Sequence, residues 1–291
     1  MFFFWALISM LGYSVQGTLL AKYARSLDPL SVSMYRTLSF VVTLSPLLFF
    51  ANGEEIVHVL RFWPQILGSA FLGAVASWAF LQSITFIPVG VQVALTTGTR
   101  TLLIIVGGMI FFREYLSLWE FLFILLILGG GAFLTLKRNQ FEHLDKKAHR
   151  GIILAIIAGF LATGMILLLA QVSREANPFA AGYFWEISIG ILSFFLGLLR
   201  WAGNGIPLQK ISLPDFQKIA LASWPTLLGT GGMTLAISMG EVGIVSAIGA
   251  AGILVTTLLC HFLYHEKLSP WQWVALFIVA VGIAGLKLAG A

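Results

Sequence analysis

The sequence predicts an all-α integral membrane protein of ten transmembrane helices, built from two inverted five-helix repeats. Three observations carry that prediction. Hydrophobic residues make up 59% of the chain, charged residues only 10%, and mean hydropathy is +0.95. A soluble domain runs nearer about 45–50% apolar and about 25% charged. Apolar stretches long enough to cross a membrane recur along the chain, since a hydrocarbon core about 30 Å thick takes about 20 residues of helix. Finally, the chain writes one segment twice. Phe111 to Leu134 aligns with Leu263 to Leu286, so that Glu114, Leu116, Ser117, Trp119, Gly130, Ala132 and Leu134 meet Glu266, Leu268, Ser269, Trp271, Gly282, Ala284 and Leu286 at a fixed offset of 152 residues. A period of that size is a half-chain duplication rather than a short solenoid repeat.

Taken in order, the spans fall near 2–21, 30–51, 64–86, 90–112, 117–136, 151–171, 179–202, 219–239, 242–264 and 270–288. No basic segment precedes Phe2-Phe3-Phe4-Trp5 and no small-x-small cleavage site comes before Lys22, so the first span is expected to be retained. Connections such as Ile87-Pro88-Val89 and the turn around Glu241 are short, which makes consecutive helices antiparallel neighbours. The front of each half repeats more weakly than the back, with Arg25 over Arg174 and Pro29 over Pro178. Proline at a helix entrance is tolerated because the first-turn N–H has no intrahelical acceptor. A polar linker, 137–150, separates a first repeat, 1–136, from a second, 151–291. Five is an odd number of crossings, so the second repeat enters the membrane upside down. Inverted duplication is the architecture of many secondary transporters, with the substrate near the midplane between the halves.

The formal charge of +5 and pI of about 9.5 do not point to nucleic acid. The lysines and arginines sit at the ends of apolar spans, where they read as interface anchors and orientation signals. Odd-numbered loops hold Lys22, Arg25, Lys137, Arg138, Lys146, Lys147, Arg150, Arg200, Lys210, Lys218 and Lys267, against Arg61, Arg113, Arg174 and Lys287 at the other end. By loop charge alone, the termini lie outside. Cys260 is the only cysteine, which excludes an internal disulfide. No metal-ligand spacing, phosphate loop or nucleophile elbow is present, beyond a weak pair, His261 and His265, four residues apart.

Charges inside spans are the sharpest functional signals, because each costs about 2.5–3.5 kcal/mol at a helix centre on insertion scales. Arg100 lies mid-span in the fourth helix, Glu186 about eight residues into the seventh, and Arg36 about seven into the second. Arg100 is the candidate clamp for an anionic group, since a planar guanidinium matches two oxygens at once. Glu186 is the candidate for a substrate amino group or a coupling proton. The alternative is an internal Arg–Glu pair that only closes the bundle. Polar stripes at helical spacing suggest a wet cavity: Gln92, Thr96 and Arg100; Thr230 and Thr234 with Ser223 and Thr226; Tyr13 and Gln16 with Ser9; and Gln82 with Trp78 and Thr85. Each such group can equally be glue between helices. Tyr13, Trp78 and Trp185 can stack on a planar substrate, whereas Trp5, Trp63, Trp119 and Trp271 sit at span ends as interfacial anchors. Gly229, Gly231 and Gly232 mark a place for close helix packing or for local unwinding.

The Glu-x-Leu-Ser turn before the fifth and tenth spans, the small-residue ends of those spans, and Asp28-Pro29 followed by Tyr35-Arg36 resemble the EamA-type transporters of the drug/metabolite transporter superfamily. The resemblance covers essentially the whole chain, in two copies. In the fourth span this chain has Thr99-Arg100 where a helix-interrupting proline often sits in that family. The resemblance implies cytoplasmic termini, opposite to the loop charges, and transport of small metabolites, many of them outward. The expectation is a multi-pass carrier of the cell inner membrane, monomer or homodimer, without cofactor or metal. It would move a small carboxylate-bearing metabolite such as an amino acid by alternating access. A carrier of phosphorylated or nucleotide-like metabolites, or a non-transporting membrane scaffold, are the alternatives.

Overall fold

The computed structural model describes residues 1–24, 29–135, 148–205, 209–265 and 267–290. Residues 137–147 of the expected linker, together with Arg25, Asp28 and Glu266, lie outside these. The described residues form thirteen α-helices and no strand. They are α1 (Phe2–Ala24), α2 (Pro29–Thr43), α3 (Gly53–Leu60), α4 (Trp63–Ile84), α5 (Val89–Gly107), α6 (Leu118–Thr135), α7 (Ala148–Glu175), α8 (Pro178–Asn204), α9 (Leu213–Ser223), α10 (Thr226–Met239), α11 (Val242–Ala250), α12 (Gly252–Tyr264) and α13 (Pro270–Ala289). A 3₁₀ segment, Ser45–Phe50, extends α2, and a π-helical turn, Gly108–Phe112, extends α5.

The Leu-Ser turn repeated in the sequence is a helix start. Ser117 and Glu120 cap α6 reciprocally through backbone N–H bonds of 3.3 and 2.7 Å. Ser269 and Gln272, each 152 residues further on, do the same for α13 at 3.3 and 2.9 Å. A cap of this kind contributes about 1 kcal/mol and fixes where the helix begins. The residue before each Leu-Ser turn region also repeats a backbone feature. Arg113 (φ 56°, ψ 36°) and His265 (φ 54°, ψ 31°) take the left-handed conformation, again at an offset of 152. His265 therefore lies beyond the end of α12 rather than on one helix face with His261, whose ring instead meets Phe262 and Trp273 edge-on.

Eight spans among the described residues are long and apolar enough to cross a membrane. The expected second and eighth spans are absent from that set because each is broken. α2 ends at Thr43 and the chain tightens into the 3₁₀ segment carrying Pro46. The eighth span begins earlier than expected, at Leu213, and is cut into α9 and α10 at Trp224-Pro225. Proline lacks the N–H that a continuous helix would use.

The largest helix contacts recur under exchange of the two halves. α1 packs on α10 as α7 packs on α4, while α2 pairs with its own counterpart α8 and α6 with its counterpart α13. The last pair shows the exchange atom by atom. A Cβ added to Gly130 would lie 2.8 Å from Val279 and 3.2 Å from the Ala275 carbonyl; one added to Gly282 would lie 2.7 Å from Ile127 and 3.1 Å from the Phe123 carbonyl. Those neighbours are themselves counterparts at the same offset. Small residues thus let the two backbones touch where no hydrophobic driving force separates helix from lipid. Gly229 and Gly232 do likewise for α1 against α10, with the Gly229 backbone filling the place a Cβ at Gly12 would need. α10 is continuous through this cluster, so the glycines serve packing and not unwinding.

Gly130→Ala and Gly282→Ala are each expected to destabilise the protein by about 1–3 kcal/mol through overpacking. Gly129→Ala, where an added Cβ meets no atom within 4 Å, should be neutral or slightly stabilising. Thermal unfolding of the purified variants in one detergent checks the ordering.

Candidate functional site

Eight helices, four from each half, enclose a cavity of 330 Å³. α1 contributes Ser9 and Tyr13, α2 Arg36 and Thr37, α4 Gly73 and Ser77, and α5 Arg100; from the second half come Met165 and Ile166, Trp185 and Glu186, Met233 and Ile237, and Ser246 with Gly249. α6 and α13 stand aside, occupied with one another.

Glu186 is the hub of the polar groups and is 2% exposed. Its Oε1 accepts a hydrogen bond from Thr230 Oγ1 at 2.8 Å and lies 3.4 Å from the Tyr13 hydroxyl, which is itself 2.9 Å from Thr230. The consistent proton arrangement has Tyr13 donating to Thr230 and Thr230 to the carboxylate. Glu186 Oε2 faces the Arg36 guanidinium at 3.6 Å. Arg36 also sits over the Phe40 ring, 4.9 Å from its centroid. A lone charge here would be costly, and the pair answers it with charge, hydrogen bonds and an aromatic face.

Donors are left over. Arg36 Nε, Arg100 Nε and Trp185 Nε1 are buried without a hydrogen-bond partner among the described residues, and all three residues line the cavity. Unmet buried N–H groups are expensive, so such a set is complementary to a ligand rich in acceptor oxygens. Arg100 has no carboxylate partner among the described residues.

Of the residues singled out from sequence, Ser9, Tyr13, Arg36, Arg100, Trp185 and Glu186 meet in this cavity, and Thr230 joins them through Tyr13 and Glu186. The others sit elsewhere. Gln92 donates to Thr96 at 3.0 Å, and Thr96 to the Ala155 carbonyl at 3.0 Å, which ties α5 to α7 outside the cavity. Thr234 turns back onto the Thr230 carbonyl at 3.0 Å. Gln16 is buried and lines no part of the cavity. Trp78 is 49% exposed and Gln82 is also exposed, so the stripe chosen on α4 faces outward. The inward face of α4 carries Gly73 and Ser77, four residues apart, a small-residue face with no amide or ring to draw attention. Thr37 and Ser246 were likewise missed, and nothing in their local sequence separates them from ordinary helix hydroxyls.

A second polar cluster closes one end of the bundle. Arg174 bonds the Glu114 carboxylate, the Ile237 carbonyl at 3.1 Å and the Gly240 carbonyl at 2.7 Å, and lies over the Phe112 ring at 4.3 Å. Glu114 Oε2 also accepts the Val242 N–H at 3.0 Å, at the start of α11. Glu241 stands beside this cluster, and its carboxyl is held above the usual carboxylate range, first by burial and then by the Glu120 and Glu114 charges, with Arg174 opposing.

Removing one partner of the central pair should cost more than removing both. Arg36→Ala and Glu186→Gln are expected to show a coupling of about 0.5–3 kcal/mol in a double-mutant cycle read by thermal unfolding. For Glu241 the sign follows from its raised value: the folded state holds the proton more tightly, so stability falls as pH rises through the folded-state range. Glu241→Gln should flatten that decline in a pH series of melting temperatures.

A solved crystal structure of a protein shares this arrangement with a TM-score of 0.72, covering 97% of this chain and 96% of its own, at 17% identity. At that identity the likeness is one of fold. No curated protein matches the chain. The model of the EamA-like transporter family matches residues 1–136 and again 149–288. With both halves matched and the apolar helices in place, this multi-pass membrane protein belongs to the EamA-like transporter family.

Proposed function

We propose that the protein is a secondary active transporter of small carboxylate-bearing metabolites, amino acids among them, exported or exchanged across the cell inner membrane. In this reading the chain crosses the membrane ten times, α2 with its 3₁₀ extension and α9 with α10 making the two broken crossings. The second set of five is inverted relative to the first, which the recurrence of the largest contacts under exchange of the halves supports. Rocking of one set of helices against the other exposes the central cavity to each side in turn.

The observation that carries the reading is the surplus of buried donors around that cavity. Arg36 and Arg100 bring two positive charges and Glu186 one negative, so the empty site has an excess of one positive charge and three unmet N–H groups. A carboxylate at Arg100 would meet both deficits. Glu186, the one carboxylate lining the cavity, is the candidate to carry a coupling proton. A phosphorylated substrate is the second reading, supported by Arg36 lying in the same cavity as Arg100. The bond from Arg36 to Glu186 weighs against it, because that guanidinium is already engaged.

Ligand-induced thermal stabilisation across organic acids, amino acids and phosphorylated metabolites tests this. Carboxylates should stabilise the wild type, and Arg100→Ala should weaken the apparent affinity about 10- to 100-fold, the loss of one charge-assisted hydrogen-bonding group. Flux of the hits into proteoliposomes should fall in parallel. No stabilisation by any anion, or an equal response in Arg100→Ala, would favour a membrane scaffold instead.

A further inference from the structure

Two chambers meet at Arg100. The central cavity shares Tyr13, Arg100 and Gly249 with a second chamber of 450 Å³, bounded by α1, α5, α6, α11 and α12. Their walls differ in kind. The central cavity holds Arg36, Glu186, Trp185 and several hydroxyls, whereas the second has Arg100 as its one charged residue among the described ones and is walled largely by apolar side chains such as Val93, Ile127, Leu128 and Ile253. Two of its hydroxyls are already committed to backbone. Ser14 donates to the Met10 and Gly252 carbonyls, at 2.6 and 3.0 Å, and Thr135 to those of Gly131 and Ala132, at 3.2 and 2.9 Å. Tyr13 is engaged with Thr230 and Glu186, which leaves Thr97 and Thr256 as the hydroxyls of a predominantly apolar space whose doorway carries a guanidinium without a carboxylate partner among the described residues.

We propose that this second chamber is a tail subsite: the carboxylate of the substrate is held at Arg100 and an apolar side chain or alkyl tail extends into the space between α5, α6 and α12. The inference rests on the transporter reading above and narrows it, from carboxylates in general to amphipathic ones. Selection among them is then made by how well the tail fills the chamber, while Arg100 supplies the common anchor. The chamber wall includes a built-in gauge. Gly98 faces the space, and a Cβ placed there meets no atom within 4 Å, so a larger residue would take up tail volume without moving backbone.

Calorimetric binding of straight-chain monocarboxylates, propionate to octanoate, to the full chain in lipid nanodiscs tests this. Affinity should rise about fourfold per added methylene until the chamber is full, the gain for burying one CH₂. Gly98→Val, and independently Ala132→Leu on the α6 wall, should flatten that rise for the longer acids while propionate shifts little. Arg100→Gln should weaken every member of the series. A flat series in the wild type, or a rise that both wall variants leave intact, overturns the subsite; an acyl chain of a membrane lipid as the true occupant gives that second outcome. If no carboxylate of any length binds, the reading of the central cavity as an anion site falls, and the tail subsite with it. Binding without dependence on tail length removes the subsite alone.

Discussion

Keeping a carboxylate in the middle of an apolar bundle sets most of what surrounds it. Glu186 is met from α1 by Tyr13, from α2 by Arg36 and from α10 by Thr230, so three helices must hold fixed positions around α8 for the charge to be tolerated. In hydrocarbon a lapse in any of these contacts leaves a partner unanswered, and the penalty for an unpaired buried ion is several kcal/mol or more. The same contacts cross between halves, since α1 and α2 belong to the first and α8 and α10 to the second. One carboxylate therefore ties the two duplicated units together at the centre of the bundle.

Much of this fold is written in the sequence because membrane helices have few ways to exist. Backbone groups in lipid must be satisfied within the helix, so apolar runs of sufficient length mark the spans. The duplicated Glu-x-Leu-Ser turn was equally legible, since its serines make the same reciprocal cap before α6 and α13. Where two of the expected spans are broken, at Thr43 to Phe50 and at Trp224-Pro225, the hydropathy stays high across the break and only Pro46 and Pro225 announce it. The site divides in a similar way. Arg36, Arg100 and Glu186 stand out because charge is scarce in spans, and all three line the cavity. Helix rotation is not readable from polar stripes, because a hydroxyl or amide can be satisfied against a neighbouring carbonyl as readily as by a ligand. Thr96 on the Ala155 carbonyl is such a case, and on α4 the conspicuous Trp78 and Gln82 face outward while unremarkable Gly73 and Ser77 line the cavity.

The surplus of donors in the cavity also bears on the proposed transport reading. Among the described residues Arg100 has no carboxylate partner and the buried Trp185 indole N–H has no acceptor. In the proposed reading, a bound anion would answer both, and the loaded site would be better matched to a low-dielectric passage than the unloaded one.

The left-handed corners at Arg113 and His265 have a different kind of consequence. A non-glycine residue in that conformation carries a torsional cost of roughly 1–2 kcal/mol, and the two halves keep it at equivalent places although the side chains are unrelated. The duplication is recorded here in backbone angle and not in residue identity. Because glycine or asparagine adopts the same angles more easily, each corner is a matched station where a reporter group can be installed or removed with little disturbance, and each serves as the other's internal control.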